Sequence, residues 1–176
     1  MTNVVLIGFM GTGKSSTGEM LASRLGCAFL DLDRYIERQE GQTVSEIFAD
    51  KGEEHFRCLE RRAVRDITAR QNLVLATGGG TVKDEENRRI LQAWGVMVCL
   101  MAKAEVILAR TSRRGERPVL DTMEQGDRRQ AIEKLLRSRA GVYDKADYFV
   151  DTSELSPLQV VDEIARYLRR GGNRRG

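Results

Sequence analysis

Nowhere among the 176 residues is there a run approaching the ~18 apolar residues that a membrane-spanning helix needs, so the chain reads as a soluble globular protein. Cysteine is scarce: Cys27, Cys58 and Cys99 are an odd set at spacings of 31 and 41. That pattern fits neither a disulfide framework nor a zinc site, and buried reduced thiols are the expectation. His55 is the only histidine, lodged between Glu54 and Phe56. It reads as structural, which leaves acid–base work at neutral pH to carboxylates. The apolar run from Leu73 to Thr77 lacks the terminal aspartate of the usual second NTPase motif, and there is no Asn-Lys-x-Asp guanine signature. These absences argue against a GTPase switch or a motor ATPase. Residues 166–176 contain five arginines and no acid, whereas residues 1–165 carry 24 basic against 26 acidic side chains. The excess positive charge is thus a property of the tail, which reads as a solvated end.

What is present begins at residue 4. Val4-Val5-Leu6-Ile7 reads as a buried strand starting at residue 3 or 4, which leaves no room for a cleavable signal peptide and implies a cytoplasmic protein. It runs into Gly8-Phe9-Met10-Gly11-Thr12-Gly13-Lys14-Ser15, a G-x-x-x-x-G-K-[ST] loop. The glycines turn backbone N–H groups onto phosphate oxygens, Lys14 reaches the outer phosphates, and the Ser15 hydroxyl can ligate Mg²⁺. The helix that follows adds its partial positive charge.

Periodicity then gives alternating strands and helices. Residues 14–25 form a helix with Met20, Leu21 and Leu25 on one side and Gly26 as its stop, and Ala28–Leu32 is a strand. A helix from Asp33 ends at Gly41. Thr43 and Glu46 make a capping box for a short helix that stops at Gly52, and Glu53 to about Arg70 carries the stripe Phe56, Leu59, Ala63, Val64 and Ile67. Further on come a helix over 84–93, a strand over 96–100, helices over 104–111 and 127–141, a strand over 148–150, and a last helix capped by Ser156 with Pro157 at its first position and Gln159 closing the box. Residues 112–126 lack periodicity and read as a lid loop. The chain is expected to form one α/β domain, with a core over about 3–168, a parallel sheet covered by helices on both faces, and a basic tail over 169–176.

Ligands of such sheets bind at the carboxyl ends of the strands. Asp31 and Asp33, two apart in extended chain, project to the same side there. Asp31 is assigned to the metal and Asp33 to an attacking hydroxyl, as base or positioner; the plain alternative makes Asp33 the cap of a helix starting at Arg34. Gly78-Gly79-Gly80 offers no side chain, so its value lies in close backbone approach or permitted dihedrals. Arg57 can be steered by Glu53 and Glu60 from its own helix face. Arg139 continues the apolar stripe of Ile132, Leu135 and Leu136, and an inward arginine needs an anionic partner, either a protein carboxylate or a bound carboxylate or phosphate. In the lid, Arg117, stiffened by Pro118, stands out among Arg110, Arg113 and Arg114 as the one to close over a transferring phosphoryl group.

Taken in order, the phosphate loop, Asp31-Leu32-Asp33, Gly52-Glu53 through Phe56-Arg57 and Glu60, Gly78-Gly79-Gly80, Arg117-Pro118-Val119-Leu120 and Arg139 through Tyr143 resemble the shikimate kinase family over residues 3–152. The resemblance implies a nucleoside-monophosphate-kinase-like fold with sheet order 2-3-1-4-5, a mobile lid, and transfer of the ATP γ-phosphate to the 3-hydroxyl of shikimate. It implies catalytic roles for Asp33, Lys14 and Arg117, and nucleotide contacts from Gly11, Thr12, Gly13, Lys14, Ser15, Ser16, Arg110 and Arg117. It places Asp33, Arg57, Gly78, Gly79, Gly80 and Arg139 on shikimate within helices over about 33–62 and beyond, and Mg²⁺ at Ser15 and Asp31. ATP and shikimate are the implied partners, with neither nucleic acid nor membrane, and the chain is expected to be a monomer. Three positions depart from the family's habit: Ser16 stands where threonine is common, Gly141 where proline is common, and no arginine lies near Leu155. Two rivals remain on sequence grounds: a related small-molecule kinase such as gluconate kinase, and a nucleotide-dependent module whose arginine-rich tail grips RNA.

Overall fold

The structure, a computed structural model, describes residues 3–112 and 125–171. Its elements run β1 (Val4–Gly8), α1 (Lys14–Leu25), β2 (Ala28–Asp31), α2 (Leu32–Glu40), α3 (Val44–Thr68), β3 (Leu73–Ala76), a 3₁₀ turn (Thr81–Lys83), α4 (Glu85–Trp94), β4 (Val96–Met101), α5 (Ala104–Ser112), α6 (Gln125–Tyr143), β5 (Tyr148–Asp151) and α7 (Pro157–Arg169). All strand pairs are parallel and the order is β2-β3-β1-β4-β5, as expected from the resemblance.

The unalternating strands are apolar on both sides because helices cover both. Val5, Ile7, Leu75, Met97 and Cys99 point to one face and pack with Ile36 of α2, Ile47, Phe56, Val64 and Ile67 of α3, and Leu91 of α4. Val4, Leu6, Val74, Val98 and Leu100 point to the other and pack with Leu21 of α1 and Val160, Val161 and Ile164 of α7. A third, smaller cluster seats Phe9 of the phosphate loop against Ile107 of α5 and Ile132 of α6. It ties the loop to the helices on either side of residues 113–124.

Local signals explain the boundaries. The Thr43–Glu46 and Ser156–Gln159 capping boxes are both formed. Gly52 (φ 79°, ψ 171°) breaks α3 into the two helices read from the sequence; a side chain there would be strained. Gly8, at the end of β1, has φ 141°, and a Cβ on it would lie 2.2 Å from the Leu100 carbonyl oxygen, so only glycine lets β1 leave the sheet beside β4.

Three expectations need correction. Met20 and Leu25 are exposed; α1 instead buries Lys14, Thr17, Gly18, Leu21 and Ala22, because it packs through small residues with Phe29 close against Gly18. The cysteines are not uniformly buried: Cys58 is exposed, Cys27 half-buried, and only Cys99 is in the core, where burial pushes its thiol up to about 12. The strand after Gly26 ends at Asp31, so Leu32 and Asp33 are helical and the extended spacing assumed for the two aspartates does not exist.

Candidate active site

Asp31 closes β2 and caps α2: its Oδ1 accepts from the Arg34 amide at 3.2 Å. The capping role weighed for Asp33 therefore belongs to its neighbour. The other Asp31 oxygen, Oδ2, accepts from the Ser15 hydroxyl at 2.5 Å, which brings the metal-side carboxylate onto the phosphate loop despite the changed backbone. Asp33, in the first turn of α2, is half-buried beside the same loop. Burial pushes its carboxyl up to about 7, and the neighbouring Asp31, Glu60 and Glu37 charges add to the effect while Lys14 opposes it.

The phosphate loop satisfies itself through its backbone. Lys14 Nζ donates to the carbonyls of Gly8 and Phe9 at 2.8 and 2.9 Å, and Thr12 Oγ1 donates to Phe9 at 2.7 Å. Gly13 is the N-cap of α1 and supplies no side-chain cap, and no acid occupies the first turn, so the helix N-terminus is left for an anion. Gly11 packs against Ile107 and Thr111 of α5. Ser16 is exposed and its hydroxyl donates to the Gly13 carbonyl. Arg110 reaches the same loop from α5, donating to Gly11 at 3.3 Å and to the Thr152 hydroxyl and carbonyl at 3.0 and 2.8 Å.

Across from the loop, α3 places Glu60 in its buried stripe at 1% exposure. One oxygen accepts from Arg57 Nη1 at 2.8 Å and the other from the Thr81 hydroxyl at 2.7 Å, so both are satisfied. Glu53 takes the other Arg57 nitrogen at 3.2 Å. Burial works against the Arg57 charge, but Glu60 and Glu53 more than offset it and hold the guanidinium above its ordinary value. From sequence, Glu60 reads only as a steering charge. Its place four residues after Phe56 and three before Ala63 is the available signal that it is buried.

Arg139 does turn inward from α6. Its guanidinium carbon lies 5.0 Å from the centroid of the Phe9 ring, Nη1 donates to the Gly79 carbonyl at 3.0 Å, and Nε is buried with no hydrogen-bond partner. Tyr143, one turn on, donates to the same carbonyl at 3.2 Å. Sequence reasoning gives neither Phe9 nor Tyr143 a role.

The three glycines are where these groups meet. A Cβ on Gly78 would stand 2.8 Å from Asp33 Oδ1, one on Gly79 3.5 Å from Arg139 Nη1, and one on Gly80 2.8 Å from Arg57 Nη2. Each glycine thus admits a different charged side chain to one small space next to the phosphate loop. Of the residues singled out in the sequence, Asp31, Asp33, Lys14, Ser15, Arg57, Gly78, Gly79, Gly80 and Arg139 converge here, and Arg110 borders the loop. Arg113, Arg114 and Arg117, with most of the expected lid, lie outside the described residues. Among the described residues no group of three or more His, Cys, Asp or Glu side chains could hold a metal by itself.

The family model described as shikimate kinase matches residues 10–169. A shikimate kinase of Pelotomaculum thermopropionicum is 46% identical over 169 residues, covering 96% of each chain. One of Thermus thermophilus is 45% identical over 176 residues, covering 99% of this chain and 94% of its own. The solved shikimate kinase of Acinetobacter baumannii in complex with shikimate superposes with a TM-score of 0.91 at 36% identity, covering 97% and 94%. A gluconokinase of Sinorhizobium meliloti, at TM-score 0.60 and 18% identity, shares the fold alone.

Proposed function

The chain belongs to the shikimate kinase family and is an ATP-dependent kinase acting on shikimate, and we propose that its cleft runs in-line phosphoryl transfer to the 3-hydroxyl with the following division of labour. The amides at the start of α1 and Lys14 hold the outer phosphates of ATP. Arg57 and Arg139 take the acceptor's carboxylate, which supplies the anionic partner that Arg139, with no carboxylate among its described partners and Nε unsatisfied, lacks. Asp33 orients the hydroxyl and receives its proton; a carboxyl poised near 7 is matched to that task at neutral pH. Glu60 fixes Arg57 from behind. Arg117 is assigned to the transferring phosphoryl group and Arg110 to the nucleotide side of the loop. Because transfer involves little covalent chemistry for the protein, positioning and charge placement carry the rate.

Ser15 and Asp31 fit a Mg²⁺ ion: a hydroxyl and a carboxylate in contact are hard oxygen donors of the number this ion uses when phosphates supply the rest. Held there, the ion would offset charge on the phosphates.

The observation that carries this reading is the triple glycine with Asp33, Arg139 and Arg57 each against one residue of it. Purified protein with Mg-ATP is expected to release ADP on addition of shikimate and not of gluconate; turnover on gluconate alone would overturn the reading. A monomeric catalytic unit is proposed, checked by light scattering, where a dimer at assay concentration would overturn it. The cytoplasm, where ATP is available, is the compartment this chemistry implies. No described helix is long and apolar enough to cross a membrane.

A further inference from the structure

Arg139 is a buried-facing cation held without a protein carboxylate among its described hydrogen-bond and ion-pair partners; its contacts are the Gly79 carbonyl, the Tyr143 hydroxyl and an aromatic face. That face belongs to Phe9, the second residue of the phosphate loop. The ring is 1% exposed and is fixed by Ile107 and Ile132, so its plane is set by packing. A guanidinium stacked on a fixed ring loses the freedom to swing while its edge donors stay available. The carbonyl of the same residue accepts from Lys14 and Thr12, so Phe9 holds the phosphate loop's lysine through its backbone and carries Arg139 through its ring.

We propose that Phe9 is a positioning residue for the acceptor: from within the phosphate loop its ring orients the Arg139 guanidinium, and it sets shikimate affinity through that arginine. The proposal rests on shikimate as acceptor and on Arg139 as its carboxylate partner. A leucine at position 9 keeps an apolar plug between α5 and α6 and removes the π face. The Phe9→Leu variant is expected to raise the shikimate KM about five-fold, a change of the size cation–π contacts support, with the ATP KM and kcat little altered.

The decisive measurement is a double-mutant cycle with Arg139→Ala, read as kcat/KM for shikimate. If Phe9 acts through Arg139, Phe9→Leu has little further effect in the Arg139→Ala background. An equal loss in both backgrounds overturns the proposal, as does a parallel rise in both KM values, which would mean that the loop itself is damaged. Should Phe9→Leu fail to fold by thermal melting, Phe9→Met, closer in volume and without a ring, gives the same two outcomes. Failure of the underlying reading looks different: the unsubstituted protein would then show no turnover with shikimate.

Discussion

The phosphate-facing wall of the cleft comes from eight consecutive residues whose working groups are mostly backbone, whereas the acceptor-facing wall gathers side chains from three helices, α2, α3 and α6, around the glycine triplet. In the first, polar groups are neutralised at short range: Lys14 lies on its own loop's carbonyls, and Ser15 lies on Asp31. In the second, charge is concentrated and only partly compensated. Asp33 sits among Asp31, Glu60 and Glu37 with its carboxyl raised to about 7, Glu60 is almost wholly buried, and Arg139 keeps an unpartnered Nε. A loop that serves every nucleotide can be generic and relaxed. A wall that selects one acceptor must hold charges where folding alone would not place them.

Asp33→Asn breaks this contrast most severely. It is expected to lower kcat by about 10²–10⁴-fold with ATP affinity nearly unchanged. Stability should move the opposite way. A carboxyl raised to about 7 retains, between pH 4 and 7, a proton that the unfolded chain has already lost, so its contribution to stability falls as pH rises through that window. The asparagine variant should therefore melt about 5 °C higher at pH 8 and gain nothing at pH 4. Activity lost without that gain would show Asp33 to be relaxed.

Arg57→Ala should act on both counts in the same direction. It strands Glu60 in the core, costing about 3 kcal/mol in denaturant unfolding, and raises the shikimate KM by about 10–100-fold. A milder break comes from pH alone. Below about pH 7, kcat/KM for shikimate should fall about ten-fold per unit, and a flat profile to pH 5 would remove Asp33 as the base. The smallest effect is expected at the C-terminal arginines: deletion of residues 172–176 should leave kcat and both KM values within about two-fold. A loss confined to nucleic-acid binding would revive the RNA-gripping reading.

The same contrast governs what the sequence reveals. A loop of contiguous residues is readable because spacing is its mechanism, and the start of α1 at Lys14 follows from it, while its end follows from the left-handed cap at Gly26. The sheet order comes from the family resemblance; periodicity alone gives covered parallel strands. On the acceptor wall, residue type can nominate Asp33, Arg57 and Arg139, but not their surroundings. The two-residue spacing of Asp31 and Asp33 leads to a common site through a wrong premise, since Asp31 ends the strand as a helix cap and Asp33 lies in the helical turn after it. Phe9 and Tyr143 escape a sequence reading because an aromatic at a core position has no mark separating packing from orientation. Glu60 is half-visible: its charge is evident, its burial is not.

The glycine triplet has a consequence for mutational maps of this chain. Every amino-acid replacement of glycine adds a Cβ, and at positions 78 and 80 that carbon meets the tips of movable side chains, Asp33 Oδ1 and Arg57 Nη2, rather than backbone. The Asp33 tip can swing aside, so an alanine allele at Gly78 should accumulate to normal abundance in cells while failing to complement growth, whereas alanine at Gly80 displaces the Arg57 guanidinium from buried Glu60 and should lose abundance as well. At Gly79, where the nearest contact is an ordinary 3.5 Å, alanine should still complement. A three-residue window would thus separate alleles scored by protein level from alleles scored by fitness.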